Sequence, residues 1–162
     1  MKKMWAILPL VLLLGGCGSE ETLETISDEW LQPVMATPRN ISVRLPDEAA
    51  APVMETDTEQ IYLCEDYEIV LETMSSGDLG KTIQHLCGYG KDSLTVMHTG
   101  MDAVERYEFV WVSAGETGER LGRAVILDDG QYHYCLSALR DAAKETVTQA
   151  QWNDVFRSFH LN

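Results

Sequence analysis

The sequence predicts an α+β domain, built as a mostly antiparallel β-sheet with helices covering its faces. Three observations lead to this prediction. Segments of alternating apolar and polar residues recur from residue 41 onward, two further segments show the apolar period of a helix, and Asp129-Gly130 is a strong hairpin signal. The two strands of that hairpin carry apolar residues on both faces, so both faces require a covering layer.

The predicted strands are the segments in which β-branched and aromatic residues alternate between turn signals. They comprise residues 41–45, 61–64, 67–74, 94–98, 103–113, 121–128 and 131–139. Pro46 ends the first strand, and Glu65-Asp66 form a tight turn between the next two.

Two helices are predicted from capping signals and apolar spacing. Residues 75–78 form a helix-start signature, after which Leu79, Ile83 and Leu86 recur at i, i+4 and i+7, and Gly88 follows at a C′ position. The second helix begins with a capping box over Thr148–Gln151 and continues into an apolar stripe. That stripe comprises Trp152, Val155, Phe156 and Phe159, and a hydrophobic staple is predicted between Val147 and Trp152.

A two-residue loop at Asp129-Gly130 predicts the register of the last hairpin. One face then carries the pairs Leu127–Tyr132, Val125–Tyr134 and Arg123–Leu136, and the other carries Ile126–His133, Ala124–Cys135 and Gly122–Ser137. If Gly115–Gly118 closes the preceding hairpin, the large side chains of Tyr107, Phe109 and Trp111 lie beside Ile126, Ala124 and Gly122.

The N-terminus has the pattern of a secretory signal. Lys2 and Lys3 precede a short apolar run that is interrupted by Pro9 and is too short to span a membrane. The sequence Leu14-Gly15-Gly16-Cys17 resembles the bacterial lipobox, which implies that Cys17 is lipidated and becomes the mature N-terminus. Two acyl chains give stable anchoring, so we expect a lipid anchor in the cell membrane with the protein on its extracytoplasmic face.

The predicted organisation is therefore a signal peptide over residues 1–16, a lipidated N-terminus and acidic tether over residues 17–38, and one domain over residues 39–162. Residues 18–37 contain five carboxylates and no Lys or Arg, which favours an extended, self-repelling tether.

Charge excludes one class of partner. The chain has 12 Lys and Arg against 26 Asp and Glu, a net charge of −14, and loss of Lys2 and Lys3 leaves 10 against 26, or −16. Such a surface disfavours nucleic acid and favours a basic patch on a partner. Because the predicted lipid anchor holds the protein at the cell membrane, we expect the partner to be an envelope protein.

The order of the predicted strands and helices resembles the PsbP/DcrB-like fold, as does the closing motif Trp152-x-x-Val155-Phe156-x-Ser158-Phe159-x-Leu161. More closely, Tyr89, Asp128-Asp129-Gly130 and Tyr132-His133-Tyr134 are similar to a group of small, uncharacterised bacterial lipoproteins. The resemblance implies an α/β/α layered domain over residues 39–162. It also implies a non-catalytic accessory role without a cofactor, because the superfamily offers no catalytic motif to carry over.

One pair of residues supports an alternative function. His133 and Cys135 lie two apart on a strand and point to the same side, so they could supply two zinc ligands or a nucleophile with its base. This alternative is a small surface enzyme or a metal-binding protein. The backbone separation of about 7 Å and the apolar neighbours Ile126 and Ala124 favour a buried histidine beside a buried thiol instead.

The other polar candidates have structural interpretations of their own. Apart from Cys17, the three cysteines Cys64, Cys87 and Cys135 allow one disulfide or three thiols, and the sequence does not choose. Glu65-Asp66 and Asp128-Asp129 lie at turns and lack EF-hand spacing. Arg106, Glu108 and Arg123 interrupt an apolar face, either as an ion pair at its rim or as a polar ligand pocket.

Overall fold

The structure is a computed structural model that describes residues 36–101, 103–115, 118–144 and 149–162. Within these ranges the helices are α1 (Leu79–Cys87) and α2 (Gln149–Ser158), with short 3-10 helices at Asp47–Ala49 and Lys91–Ser93. The strands are β1 (Ile41–Ser42), β2 (Met54–Glu55), β3 (Glu59–Leu63), β4 (Tyr67–Ser75), β5 (Met97–Met101), β6 (Val104–Ala114), β7 (Glu119–Asp128), β8 (Tyr132–Asp141) and β9 (His160–Leu161).

All the observed strand pairs are antiparallel, which confirms the α+β class with a mostly antiparallel sheet. The main sheet has seven strands in the order β2-β3-β4-β8-β7-β6-β5, and β1 pairs with β9 in a separate two-stranded sheet. The short strands β2 and β9 were not predicted, and the predicted strand 41–45 is reduced to β1. Strand β5 begins at Met97 rather than Leu94, because pairing with β6 starts only at Met97.

The two faces of the main sheet pack against different helices, because side chains alternate along each strand. Val125 and Leu127 of β7 belong to a core cluster with Val155 and Phe156 of α2. Ala124 and Ile126 belong to a second cluster with Ile83 of α1. Both faces of β7 are therefore buried, as their apolar composition predicts.

Helix α1 begins and ends at the predicted residues. The side chain of Asp78 accepts a hydrogen bond from the backbone N–H of Gly80 at 2.8 Å, which satisfies one free donor of the first turn. Gly88 takes a left-handed φ of +79° and donates its N–H to the carbonyl of Gln84.

Helix α2 presents the predicted apolar stripe to the sheet. Trp152, Val155 and Phe156 are buried, and Phe159 is buried immediately beyond the helix. The predicted staple residue Val147 and the capping residue Thr148 lie outside the described residues.

The predicted register of the β7–β8 hairpin is wrong by two residues. Leu127 lies opposite Tyr134 rather than Tyr132, and Val125 lies opposite Leu136. The turn is centred on Gly130-Gln131, because Asp129 Oδ1 accepts the backbone N–H groups of Gln131 and Tyr132 and holds Asp129 at the turn's first position. A shift of two residues keeps every side chain on its predicted face.

The predicted register of β6 against β7 is confirmed. Tyr107, Phe109 and Trp111 lie opposite Ile126, Ala124 and Gly122, in that order. A Cβ atom on Gly122 would lie 2.0 Å from Cε2 of Trp111, so the indole occupies the space above the glycine backbone. Any larger side chain at position 122 must displace the Trp111 indole.

We expect Gly122→Ala to destabilise the protein by about 1–3 kcal/mol, because the added methyl group must displace the Trp111 indole. Urea unfolding followed by far-ultraviolet circular dichroism measures the effect. Gly90→Ala is the matched control, since Gly90 has an ordinary φ of −68° and no atom within 4 Å of its ideal Cβ. Equal midpoints for the two variants would contradict the close packing of Trp111 on Gly122.

Candidate functional site

His133 is completely buried and lies against polar side chains of three other segments. Its Nδ1 lies 2.8 Å from Thr82 Oγ1 on α1, and its Nε2 lies 3.4 Å from both Ser76 Oγ and Asp128 Oδ2. An imidazole that carries its proton on Nε2 and accepts from Thr82 satisfies all these contacts. The side chain therefore joins α1 to the β7–β8 hairpin.

The residues around His133 include a serine and an aspartate, but their geometry differs from that of a Ser-His-Asp triad. In a triad the serine and the aspartate contact opposite nitrogens of the imidazole. Here Ser76 and Asp128 both approach Nε2, and the Ser76 hydroxyl donates to Asp128 Oδ1 at 3.2 Å. Among the described residues, Nδ1 of His133 contacts the hydroxyl of Thr82 and not the carboxylate that a triad requires at this nitrogen.

Cys135 lies beside His133 on β8 and is completely buried in the core cluster of α1. Burial, together with the negative charge of Glu72, raises the pKa of its thiol. A buried thiol of this kind is a poor nucleophile. Among the described residues, no group of three or more His, Cys, Asp and Glu side chains is arranged to hold a metal ion.

The cysteines whose pairing the sequence left open are all free thiols. Cys64 and Cys87 are half-buried and Cys135 is buried. The thiol of Cys87 donates to the carbonyl of Ile83 at 3.0 Å, and burial raises its pKa. The predicted lipidation site, Cys17, lies outside the described residues.

The two acidic turns hold backbone and side-chain donors of the fold. Asp66 forms an ion pair with Lys144. Asp128 Oδ1 accepts the N–H of Gly130 at 2.8 Å, and Asp129 Oδ2 accepts the hydroxyl of Tyr134 at 2.9 Å. These contacts agree with the prediction that both acidic pairs occupy turns.

Arg106, Glu108 and Arg123 form one network on the α2 face of the sheet. Arg106 Nε donates to Glu108 Oε1 at 2.7 Å, and Arg123 Nη2 donates to Glu108 Oε2 at 3.1 Å. The same guanidinium groups reach α2, where Arg106 donates to the carbonyl of Phe156 and Arg123 donates to Asn153 Oδ1. Arg106 also donates to the carbonyl of Phe159, immediately beyond the helix. Of the two interpretations of these charges, the structure supports the ion pair, which here holds α2 on the sheet.

Burial alone would raise the pKa of Glu108. The hydrogen bonds and positive charges of Arg106 and Arg123 outweigh burial, and the pKa of Glu108 lies below its usual value of 4.5. Glu108 is therefore ionised at neutral pH, and its carboxylate neutralises two guanidinium groups.

A cavity of about 530 Å³ lies on the outer part of the sheet, next to Arg123. Its volume is within the range of small-molecule sites. It is lined by Tyr89, Ser93, Leu94, Val110, Trp111, Val112, Leu121, Gly122, Arg123, Ala138, Arg140, Gln149 and Trp152. Among the described residues, the lining contains two arginines and no carboxylate, although the chain has 26 acidic residues.

The cavity lies beside the part of β6 that β5 does not pair with. The β5–β6 pairing ends at Met97 opposite Glu108, whereas β6 continues to Ala114. Beyond this point Val110 and Val112 are 64% and 47% exposed, and the hydroxyl of Tyr89 donates to the carbonyl of Val112 at 2.8 Å. The end of β6 thus forms one apolar wall of the cavity.

Two polar groups of the lining have donors that the fold does not use. Arg140 donates from Nη1 to the carbonyls of Lys144 and Asp141, and no carboxylate among the described residues pairs with it. Trp152 is 7% exposed, and its Nε1 is buried without an acceptor in the described part of the chain. Neither Arg140 nor the indole nitrogen of Trp152 was predicted as part of a site. Nothing in the sequence indicates that β8 and the start of α2 border the same cavity.

The sequence matches no protein-family model and no curated protein. No helix in the described ranges is both long and apolar enough to cross a membrane. The cavity and the buried polar groups are therefore interpreted from their own geometry.

We expect Glu108→Gln to lower the free energy of unfolding by about 1–3 kcal/mol at pH 7, because two guanidinium groups lose a charged acceptor. Since the pKa of Glu108 is lowered on folding, its contribution is fully present above pH 4.5 and is lost as the pH falls through the folded-state pKa. The difference between the wild type and the variant should therefore shrink towards pH 3.

Urea unfolding at pH 7 and pH 3 measures this change. Glu119→Gln is the control, because Glu119 is an exposed carboxylate on the neighbouring strand. A cost for Glu108→Gln that is the same at both pH values would contradict the role of the ionised carboxylate.

We expect Cys135 to react with iodoacetamide about tenfold or more slowly than Cys64 and Cys87 in the folded protein, because its thiol is buried and its pKa is raised. Peptide mapping after timed alkylation measures each cysteine separately, and the rates should converge in denaturant. Rapid native labelling of Cys135 would instead support the alternative in which it acts as a nucleophile.

Proposed function

We propose that this chain is a membrane-anchored extracytoplasmic lipoprotein and that its folded domain is a non-catalytic binding module of the cell envelope. The signal pattern before Cys17, the lipobox-like residues and the acidic segment after them support the anchor. The folded part supports binding through one observation, an arginine-lined cavity on the outer part of the sheet.

The polar groups outside the cavity support a non-catalytic role, because their hydrogen bonds stabilise the fold. His133 is bonded to Thr82, and the carboxylate of Glu108 is bonded to two arginines. By contrast, the guanidinium group of Arg140, whose described partners are backbone carbonyls, has donors left over for a ligand. A binding site requires such unused donors beside an apolar surface.

The proposed fold family is the PsbP/DcrB-like superfamily. The seven-stranded antiparallel sheet supports it, as does the packing of α1 and α2 against opposite faces of β7. A net charge of −14 favours a partner that carries a basic patch.

The alternative is a small surface enzyme or a metal-binding protein that uses His133 and Cys135. Both side chains are completely buried, which counts against the access that a substrate or an exchanging metal requires. Elemental analysis of the purified chain separates the two proposals. Stoichiometric zinc that is lost in both His133→Ala and Cys135→Ala, with the fold retained, would support the alternative.

We expect Cys17→Ala to abolish membrane retention, because the variant lacks the thiol that carries the acyl chains. Cell fractionation followed by immunoblotting measures the distribution, and metabolic labelling with palmitate measures the modification. Cys64→Ala is the matched control and should stay in the membrane fraction with its label. A processed Cys17→Ala protein that remains membrane-bound would contradict the lipid anchor.

A further inference from the structure

The cavity described above combines an apolar wall with hydrogen-bond donors that lack acceptors. Val110, Val112 and Leu121 lie on the same face of neighbouring strands, since Val112 pairs with Leu121 and Val110 pairs with Arg123. Two of these apolar side chains are exposed, at 64% for Val110 and 47% for Val112. Exposed aliphatic side chains on an open sheet face gain free energy when an apolar chain covers them.

The charge in the cavity is opposite to that of the whole chain. Arg123 and Arg140 line the cavity, and no carboxylate lines it within the described ranges, whereas the chain carries a net charge of −14. The charge of Arg123 is already compensated by Glu108, and its two Nη atoms are occupied by Glu108 and Asn153. Arg140 has only backbone carbonyls as its described partners, so it is the cation available to an incoming anion.

Trp152 borders the same cavity and can report on its occupancy. The side chain is 7% exposed and lines the cavity. Its Nε1 atom is itself buried, so the N–H group is not available to a ligand in the cavity. An oxygen anion can accept from the guanidinium group of Arg140, whereas a cation cannot.

We propose that the cavity binds a single-chain anionic amphiphile. Its anionic head group is held by Arg140, and its apolar chain lies against Val110, Val112 and Leu121. The inference rests on the proposed function as a binding module and names the class of ligand. Both a carboxylate and a phosphate monoester supply the required head group.

Nuclear magnetic resonance of the indole N–H groups tests this proposal on the full chain, labelled with ¹⁵N and held in nanodiscs of zwitterionic phosphatidylcholine. The chain has four tryptophans, and a Trp152→Phe variant assigns the signal of Trp152. The probes are octanoate, octyl phosphate, octanol and octyltrimethylammonium, which share one chain length and differ in the head group.

The expected result is a saturable shift of the Trp152 signal with octanoate or octyl phosphate, and binding at least about tenfold weaker with octanol and octyltrimethylammonium. The tighter of the two anions identifies the head group. Equal affinity for octanol and the anions, or a Trp152 signal that no probe shifts, would overturn the proposal.

Two pairs of variants locate the site. Arg140→Gln should weaken octanoate or octyl phosphate binding about tenfold or more, and the exposed Arg157→Gln on α2 should leave it unchanged. Val112→Asp should weaken it similarly by placing a carboxylate in the cavity. Val53→Asp is its control, because Val53 is 60% exposed and adjoins β2 at the opposite edge of the sheet.

The outcomes separate this proposal from the proposed function. Unchanged anion binding in both Arg140→Gln and Val112→Asp would overturn the site assignment, whatever the location of the protein in the cell. Loss of membrane retention in Cys17→Ala would still support the lipid anchor in that case, because the anchor and the cavity are measured on different residues.

Discussion

The position of α2 on the sheet depends on the half-buried carboxylate of Glu108. Glu108 lies between Arg106 and Arg123, and each guanidinium group also donates to α2. The carbonyls of the last helical turn have no partner within the helix, and the helix dipole places partial negative charge there. Arg106 satisfies the carbonyl of Phe156, so a charged network on an apolar face provides both a hydrogen-bond cap and a favourable charge for the helix end.

The same network shapes the candidate site. Arg123 packs over the ring of Phe156, with its Cζ 4.4 Å from the ring centroid, and it also lines the cavity. The C-terminal half of α2 is therefore held against the sheet, while Trp152 near its start borders the cavity and contacts Tyr67 edge to face. One helix thus closes the core at one end and forms a wall of the cavity at the other.

The strongest sequence predictions were those in which a local signal and a packing requirement coincide. Helix α1 follows from the Asp78 cap and the Gly88 stop, and the β6–β7 register follows from the fit of Trp111 over Gly122. The β7–β8 register could not be predicted in the same way, because the Asx contacts of Asp129 move the turn by one residue without changing either strand. Strand β9 was missed because two residues carry no period and form a strand only by pairing with β1.

The candidate site was less predictable than the fold. The sequence singled out His133 and Cys135 for their chemistry, and their burial is a property of the assembled core. Arg140 and Trp152 approach one cavity only because β8 and α2 meet there, which no spacing in the sequence encodes. Local patterns therefore identified the elements, whereas the unused donors became visible only from the tertiary structure.

The way in which the chain enters the domain has a mechanical consequence. Tyr132 donates its hydroxyl to the carbonyl of Ala36 at 2.6 Å, and the hydroxyl of Tyr134 accepts the N–H of Arg39 at 2.8 Å. If the chain is held by the proposed lipid anchor, a pulling force enters the described residues at Ala36 and reaches these two hydroxyls before it reaches the β1–β9 pair. Both tyrosines lie on β8, in the interior of the main sheet between β4 and β7. The load is thus delivered to an inner strand, which is held by hydrogen bonds along both edges, instead of peeling an outer strand from the sheet.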